Sequence, residues 1–186
     1  MSMLKHCGTQ ILETERLTLR PFLYSDDDDM LTYWVSDPKI QSMYSEPIYT
    51  TKEEVKGLLD KYIDSYERLD YYRWAIIEKE SNICIGQIAI FLVNDVNHFC
   101  EIEYCLGSKF HRKGYATEVV KSILGFCFNE VNFHKVQVCH KEGNLASQGV
   151  IRKSGFTYEG TLRDFFFMDG KYVSRLYYSM LKEEYA

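Results

Sequence analysis

The chain has 186 residues, 46% of them hydrophobic, which is enough for one well-filled core and short for two, so a single domain is expected over 1–186 with its core at about 11–182. A formal net charge of -5 argues against a broad nucleic-acid surface, while leaving room for a local basic site that holds an anion. No apolar run approaches the roughly 20 residues that a bilayer crossing takes, and the opening MSMLKHCGTQ lacks a signal-peptide core, so a cytoplasmic chain without membrane contact is expected.

Taken in order, Arg16 to Phe22 reads as a first strand ended near Pro21. The run Asp26 to Asp29 leads straight into Met30, Leu31, Tyr33, Trp34 and Val35. Four contiguous aspartates lack the interval spacing of a calcium loop and suit capping and dipole compensation at a helix start. Ser36 to Tyr49, with Pro38 and Pro47, reads as a surface connector. Thr51-Lys52-Glu53-Glu54 is a capping-box pattern, and Val55, Leu58, Leu59, Tyr62, Ile63 and Tyr66 form the apolar stripe of the helix it starts. Tyr71 to Lys79 and Ile83 to Phe91 are strand-like and joined by Glu80-Ser81-Asn82, which predicts an antiparallel hairpin, with Leu92 to Asn97 looping back.

The next stretch, Glu101 to Glu118, organises the rest. Ile102, Tyr104 and Leu106 share one parity, and Glu101, Glu103 and Cys105 share the other, so a strand here sends both carboxylates to one face. Ala116, Val119, Val120, Ile123, Leu124 and Cys127 then recur on one helical face. Between strand and helix lie His111, Arg112, Lys113 and Gly114, followed by Tyr115, Ala116 and Thr117. Unpaired amides and the positive dipole end of a helix start attract anions, so this junction reads as a phosphate cradle. Downstream, His134 to His140 alternates as a strand, Asn144 suits the N-cap of a short helix, and Phe156–Phe167 and Tyr172–Leu181 flank Asp169-Gly170, a hairpin turn. Strands before, between and after helices give an α/β (α+β) fold with a mixed sheet covered by helices.

The six cysteines, at 7, 84, 100, 105, 127 and 139, form no Cys-x-x-Cys pair and fall in apolar patterns, so reduced, mostly buried thiols are expected. Cys105, His111, Cys139 and His140 match no zinc template, and no metal is expected.

His111-Arg112-Lys113-Gly114-Tyr115-Ala116 resembles the pyrophosphate loop Gln/Arg-x-x-Gly-x-Gly/Ala of the acyl-CoA-dependent GNAT N-acetyltransferases, with His111 at the first position and Arg112 where a second glycine is frequent. Asn144 to Phe156 (NLASQGVIRKSGF) resembles the family's downstream Asn-x-x-Ser/Ala block. Thr14-Glu15-Arg16-Leu17 with Leu19-Arg20-Pro21, Gly160-Thr161-Leu162-Arg163 and Asp169-Gly170-Lys171-Tyr172 are similar to the RimJ/RimL-like branch. The resemblance covers nearly the whole chain and implies the GNAT fold, a mostly antiparallel sheet flanked by helices. It also implies acetyl-CoA as cofactor and a primary amine as acceptor: a peptide or protein N-terminus, a polyamine or another small amine.

On that resemblance the diphosphate sits on the amides of Lys113, Gly114, Tyr115, Ala116 and Thr117, helped by Arg112 and Lys113. The pantetheine arm pairs with the strand backbone at Cys105, Leu106 and Gly107, and the Leu106 N–H meets the oxyanion. Asn144 and Ser147 close the site. The tyrosine that protonates the leaving thiolate in many relatives is replaced by Ile151, and the branch implies Ser147 as the acid, with an ordinary N-cap contact as its structural alternative. Glu101 is the implied base or amine-binding residue. Glu103 stands where the branch has a small glycine, and would favour a cationic amine; the structural alternative for both is exposed strand carboxylates, against which their shared face beside a cofactor strand weighs. The branch places acceptor-facing residues in Ser36 to Tyr49, and the hairpin at Asp169 could support a homodimer. A catalytically reduced acyl-CoA-binding module is the competing class, while a nucleotide-binding protein is disfavoured because no Gly-x-x-x-x-Gly-Lys-Ser/Thr or dinucleotide fingerprint occurs.

Overall fold

Among the described residues, eight strands form one sheet in the order β1-β2-β3-β4-β5-β6-β8-β7. They are β1 (Leu12–Glu13), β2 (Leu17–Arg20), β3 (Tyr72–Glu78), β4 (Ile83–Asn94), β5 (Phe99–Leu106), β6 (Lys135–Lys141), β7 (Thr157–Met168) and β8 (Lys171–Leu181). The computed structural model describes residues 3–185; Met1, Ser2 and Ala186, at the ends of the expected domain, lie outside it. All neighbouring strands are antiparallel except β5 and β6. That one parallel pair requires a crossover, which α4 (Tyr115–Gly125) supplies.

Alternation sorts the sheet into two faces, each with its own core. Cys100, Ile102 and Leu106 of β5 pack with Val136 and Val138 of β6 against Val119, Val120, Ile123 and Leu124 of α4 and Ile151 of α5 (Leu145–Lys153). Ala75, Ile77, Cys84 and Cys105 point the other way, toward α1 (Asp27–Tyr33) and α3 (Lys52–Ser65), whose Met30, Val55, Leu58, Leu59 and Tyr62 cover them. Each fully buried aliphatic side chain in these layers contributes on the order of 1.5 to 3 kcal/mol of transfer free energy. The Thr51 capping box forms as expected, with the Thr51 hydroxyl accepting from Glu54 N–H at 3.3 Å and Glu54 Oε2 accepting from Thr51 N–H at 3.1 Å.

Several elements depart from the sequence reading. The expected connector 36–49 contains α2 (Pro38–Tyr44): Asp37 Oδ1 accepts from the amides of Lys39 and Ile40, and Pro38 occupies the first helical position, where its missing N–H costs nothing. The strand expected over Arg16–Phe22 is the shorter β2, Leu17–Arg20, and β1 precedes it. β4 runs to Asn94, past the expected end at Phe91, because a bulge between Ile90 and Leu92 lets it keep pairing with β5. Beyond Gly125 the central helix widens into a π-helical turn, Phe126–Val131, closed by Asn132 in a left-handed conformation. The 157–181 hairpin turns at Asp169 and Gly170, both at positive φ.

Candidate active site

The parallel ladder between β5 and β6 has four pairs and ends at Ile102 opposite Val138. β5 continues to Leu106 and β6 to Lys141, so the two strands splay and leave a cleft in the middle of the sheet. Gly107 N–H donates to the Ile85 carbonyl at 2.8 Å, which makes Gly107 and, by alternation, Cys105 and Glu103 bond toward β4. Tyr104 and Leu106 therefore turn their backbone groups into the cleft. The Leu106 carbonyl is taken by His111, whose Nε2–H donates to it at 2.9 Å, leaving the Leu106 N–H as the donor that faces the splay. Gly107 must be small here because a Cβ would come within 2.7 Å of the Tyr33 carbonyl.

At the mouth of the cleft the chain turns into α4 through two left-handed residues. Arg112 takes φ 61 and Gly114 φ 85. Arg112 thus adopts the backbone that glycine favours. Gly114 is the N-cap and offers no side chain, so the first amides of α4 point outward uncapped. The back of this loop is held by the turn between β1 and β2. Arg16 Nη1 donates to the Lys113 carbonyl at 2.8 Å and Nε donates to Glu118 Oε2 at 2.8 Å, while the guanidinium lies 4.6 Å from the Tyr115 ring centroid. Thr14 Oγ1 and Arg16 N–H both donate to Glu118 Oε1. Tyr115 donates to Glu78 Oε1 at 2.6 Å, and Lys113 Nζ sits 3.7 Å from the same oxygen. The hydrogen bonds from Ser81 and Tyr115 hold the Glu78 carboxyl below its usual range.

On the α4 and α5 side of the cleft, Asn144 accepts from Ser147 N–H at 3.1 Å, which fixes the start of α5, and Ser147 Oγ lies 2.9 Å from the Tyr104 hydroxyl. Burial pushes the Tyr104 phenol well up, so it stays protonated. Ile151 is fully buried core and offers no proton. Cys105 and Leu106 are buried on opposite faces; burial pushes the Cys105 thiol up to about 12, so it is inert packing.

The opposite face holds the charges. Glu101 and Glu103 share it, as the alternation predicts, and each already has a guanidinium partner: Glu101 with Arg175 at 2.5 Å, Glu103 with Arg73 at 3.0 Å. Arg73 also donates to Gln87 Oε1 at 2.6 Å. Arg175 donates from Nε to Cys139 Sγ at 3.1 Å and stacks over Phe165 and Tyr177. Lys141 reaches the Ser42 carbonyl of α2 across this face, and burial lowers its ammonium from the usual range. The sequence reading gave Arg16 only as part of a family motif and did not single out Arg73, Tyr104 or Arg175 as site residues. Parity located the face, but the partners lie 30 and 74 residues away from their glutamates, and no local pattern joins them.

Among the described residues no group of three or more His, Cys, Asp or Glu is placed to hold a metal, and no helix is long and apolar enough to cross a membrane. Residues 16–157 match the family model described as an acetyltransferase (GNAT) domain. The chain is 29% identical over 177 residues to the uncharacterized N-acetyltransferase p20 of Bacillus licheniformis, covering 95% of this chain and 99% of that one. It is 24% identical over 156 residues to the spermidine N(1)-acetyltransferase of Vibrio cholerae, covering 82% of each. Its fold superposes with a TM-score of 0.83 on RimL, a ribosomal L7/L12 alpha-N-protein acetyltransferase solved with coenzyme A, at 19% identity and over 94% and 99% of the two chains. The split sheet, the uncapped helix start and the matched domain lead to one conclusion: this chain belongs to the GNAT N-acetyltransferase family, an acyltransferase family that uses acetyl-CoA, with the features of its RimJ/RimL-like branch.

Proposed function

We propose that the chain transfers an acetyl group from acetyl-CoA directly to a primary amine. The observation that carries this reading is the β5–β6 splay with the uncapped N-terminus of α4 at its mouth. When bound, the cofactor supplies a thioester carbonyl open to attack. The residues present fit it: the amides from Lys113 to Thr117 face outward for a diphosphate, the left-handed Gly114 leaves room for close approach, and Arg112 adds exposed positive charge. The Tyr104 and Leu106 backbone offers edge-strand pairing to an amide-bearing arm, and the Leu106 N–H is placed to stabilise the oxyanion.

Ser147 Oγ would give its proton to the departing thiolate, and the proton that the attacking amine loses on becoming an amide would replace it. Asn144 holds its backbone and Tyr104 its hydroxyl, so the donor is oriented before the thiolate forms. Glu101 and Glu103 act by fixing Arg175 and Arg73 beside the cleft, each carboxylate being engaged by its guanidinium partner. The amine enters from this charged face, opposite Ser147. Spermidine and protein N-termini are the acceptors named for the relatives, and both are primary amines.

A thiol-release assay with acetyl-CoA and a panel of amines tests the reading. Amine-dependent release with formation of the acetylated amine is expected. Tight acetyl-CoA binding without release from any amine would contradict it and favour a binding module.

A further inference from the structure

Three consecutive residues at the start of α4, Lys113, Gly114 and Tyr115, meet one side chain from the far end of the sequence. Arg16, in the turn between β1 and β2, donates from Nη1 to the Lys113 carbonyl at 2.8 Å and places its guanidinium 4.6 Å from the Tyr115 ring centroid. It lies so close to Gly114 that a Cβ there would come within 3.3 Å of Nη2. The guanidinium is itself held. Its Nε and Nη2 reach Glu118 Oε2 at 2.8 and 2.6 Å, and Oε1 of the same carboxylate accepts from Thr14 Oγ1 at 2.6 Å and from the Arg16 N–H at 2.9 Å.

The Lys113 carbonyl and the Gly114 N–H belong to one peptide unit. Among the described residues no peptide bond is cis, and in a trans unit the carbonyl and the following N–H point to opposite sides. Tying the carbonyl to Arg16 behind the loop therefore turns the Gly114 N–H to the front. The loop by itself does not select this orientation. Glycine takes positive and negative φ with similar ease, so the unit between residues 113 and 114 can turn over by rotation about Lys113 ψ and Gly114 φ. Gly114 sits at φ 85, with Arg112 at φ 61 before it. Arg16 supplies from outside the turn the constraint that a glycine lacks.

We propose that Arg16, locked by Glu118, is a positioning residue for the cofactor diphosphate: it holds the Gly114 N–H toward the diphosphate while its own guanidinium stays behind the loop. The assignment rests on the cofactor placement of the transferase reading and deepens it. The pantetheine arm pairs with the β5 backbone in that placement and does not depend on Arg16.

Calorimetric titration with coenzyme A, and ligand-detected NMR titration with pantetheine, which has the arm but no diphosphate, compare the intact protein with its variants. Arg16→Ala should weaken coenzyme A by about 10- to 100-fold, as the loss of one hydrogen bond to a charged group does, and leave pantetheine unchanged. Arg16→Lys, a point charge that replaces a fork and reaches the carbonyl or Glu118 but not both, should recover part of the loss. Glu118→Gln should weaken coenzyme A less than Arg16→Ala does, and the double variant should be no weaker than Arg16→Ala alone, because both changes disable one device. If Arg16→Ala fails to fold, Arg16→Lys and Glu118→Gln carry the same comparison. Equal losses for coenzyme A and pantetheine, additive losses in the double variant, or wild-type coenzyme A affinity in folded Arg16→Ala overturn the assignment. Coenzyme A binding that Arg16→Ala weakens, in a protein that acetylates no amine, supports the brace and overturns the transferase; no coenzyme A binding by the unaltered protein overturns both.

Discussion

The two faces of the central sheet solve different problems. Toward α4 and α5 the cleft is lined by backbone amides, two hydroxyls and apolar packing, and its recognition comes from where strands part and a helix begins. Toward α2 and α3 it is lined by long charged side chains: Arg73, Glu103, Glu101, Arg175 and Lys141. Backbone recognition is set by topology and changes little when surface residues change. Side-chain recognition rests on pairs drawn from distant strands, and a single substitution can recast it. A fixed anionic cofactor suits the first face and a variable amine suits the second.

If the comparison holds, damage to the backbone cradle of the first face should abolish cofactor affinity, whereas loss of its hydroxyls or damage to the second face should spare it. The largest effect is expected from Gly114→Val. A β-branched residue resists φ 85, and its Cβ would press to 3.3 Å from Arg16 Nη2, so calorimetry should show acetyl-CoA affinity falling by at least about 100-fold. Ser147→Ala should lower kcat by about 10- to 100-fold with acetyl-CoA affinity unchanged, and Tyr104→Phe should have a smaller effect in the same direction. Unchanged turnover in Ser147→Ala would remove it from the proton path.

On the charged face, Glu101→Ala strands the Arg175 guanidinium, whose side chain is 14% exposed, and should cost about 2 kcal/mol in denaturant unfolding while leaving acetyl-CoA affinity intact. Loss of cofactor binding there would break the division between faces. The smallest effects belong to Arg112→Ala and Lys113→Ala. Both side chains are exposed, and Lys113 is partly turned to Glu78, so a few-fold loss of affinity that shrinks as salt rises is expected.

The first face was legible in the sequence because its signals are local. Parity along 101–106, the glycine at 114 and the apolar period from Ala116 to Cys127 each predict a backbone feature within a few residues, and Asn144 predicts a cap that forms. The second face was legible only as a parity. That Glu101 and Glu103 share a side follows from alternation, but their neutralisation by Arg175 and Arg73 depends on strand order, which no spacing reveals. α2 was hidden for a related reason: two prolines and a run of polar residues look like loop, yet Asp37 caps the helix and Pro38 starts it. The Thr14 to Leu17 motif was recognised without a role, which appears only once Arg16 and Glu118 meet behind the phosphate loop.

A crystal structure with coenzyme A bound tests the division of the two faces most directly. The account predicts the diphosphate within hydrogen-bonding distance of the amides from Lys113 to Thr117, and the thiol between β5 and β6 just beyond Ile102 and Val138, with Ser147 beside it and the Arg73 and Arg175 pairs untouched. A diphosphate bound instead by Arg73, Arg175 or Lys141 would contradict it.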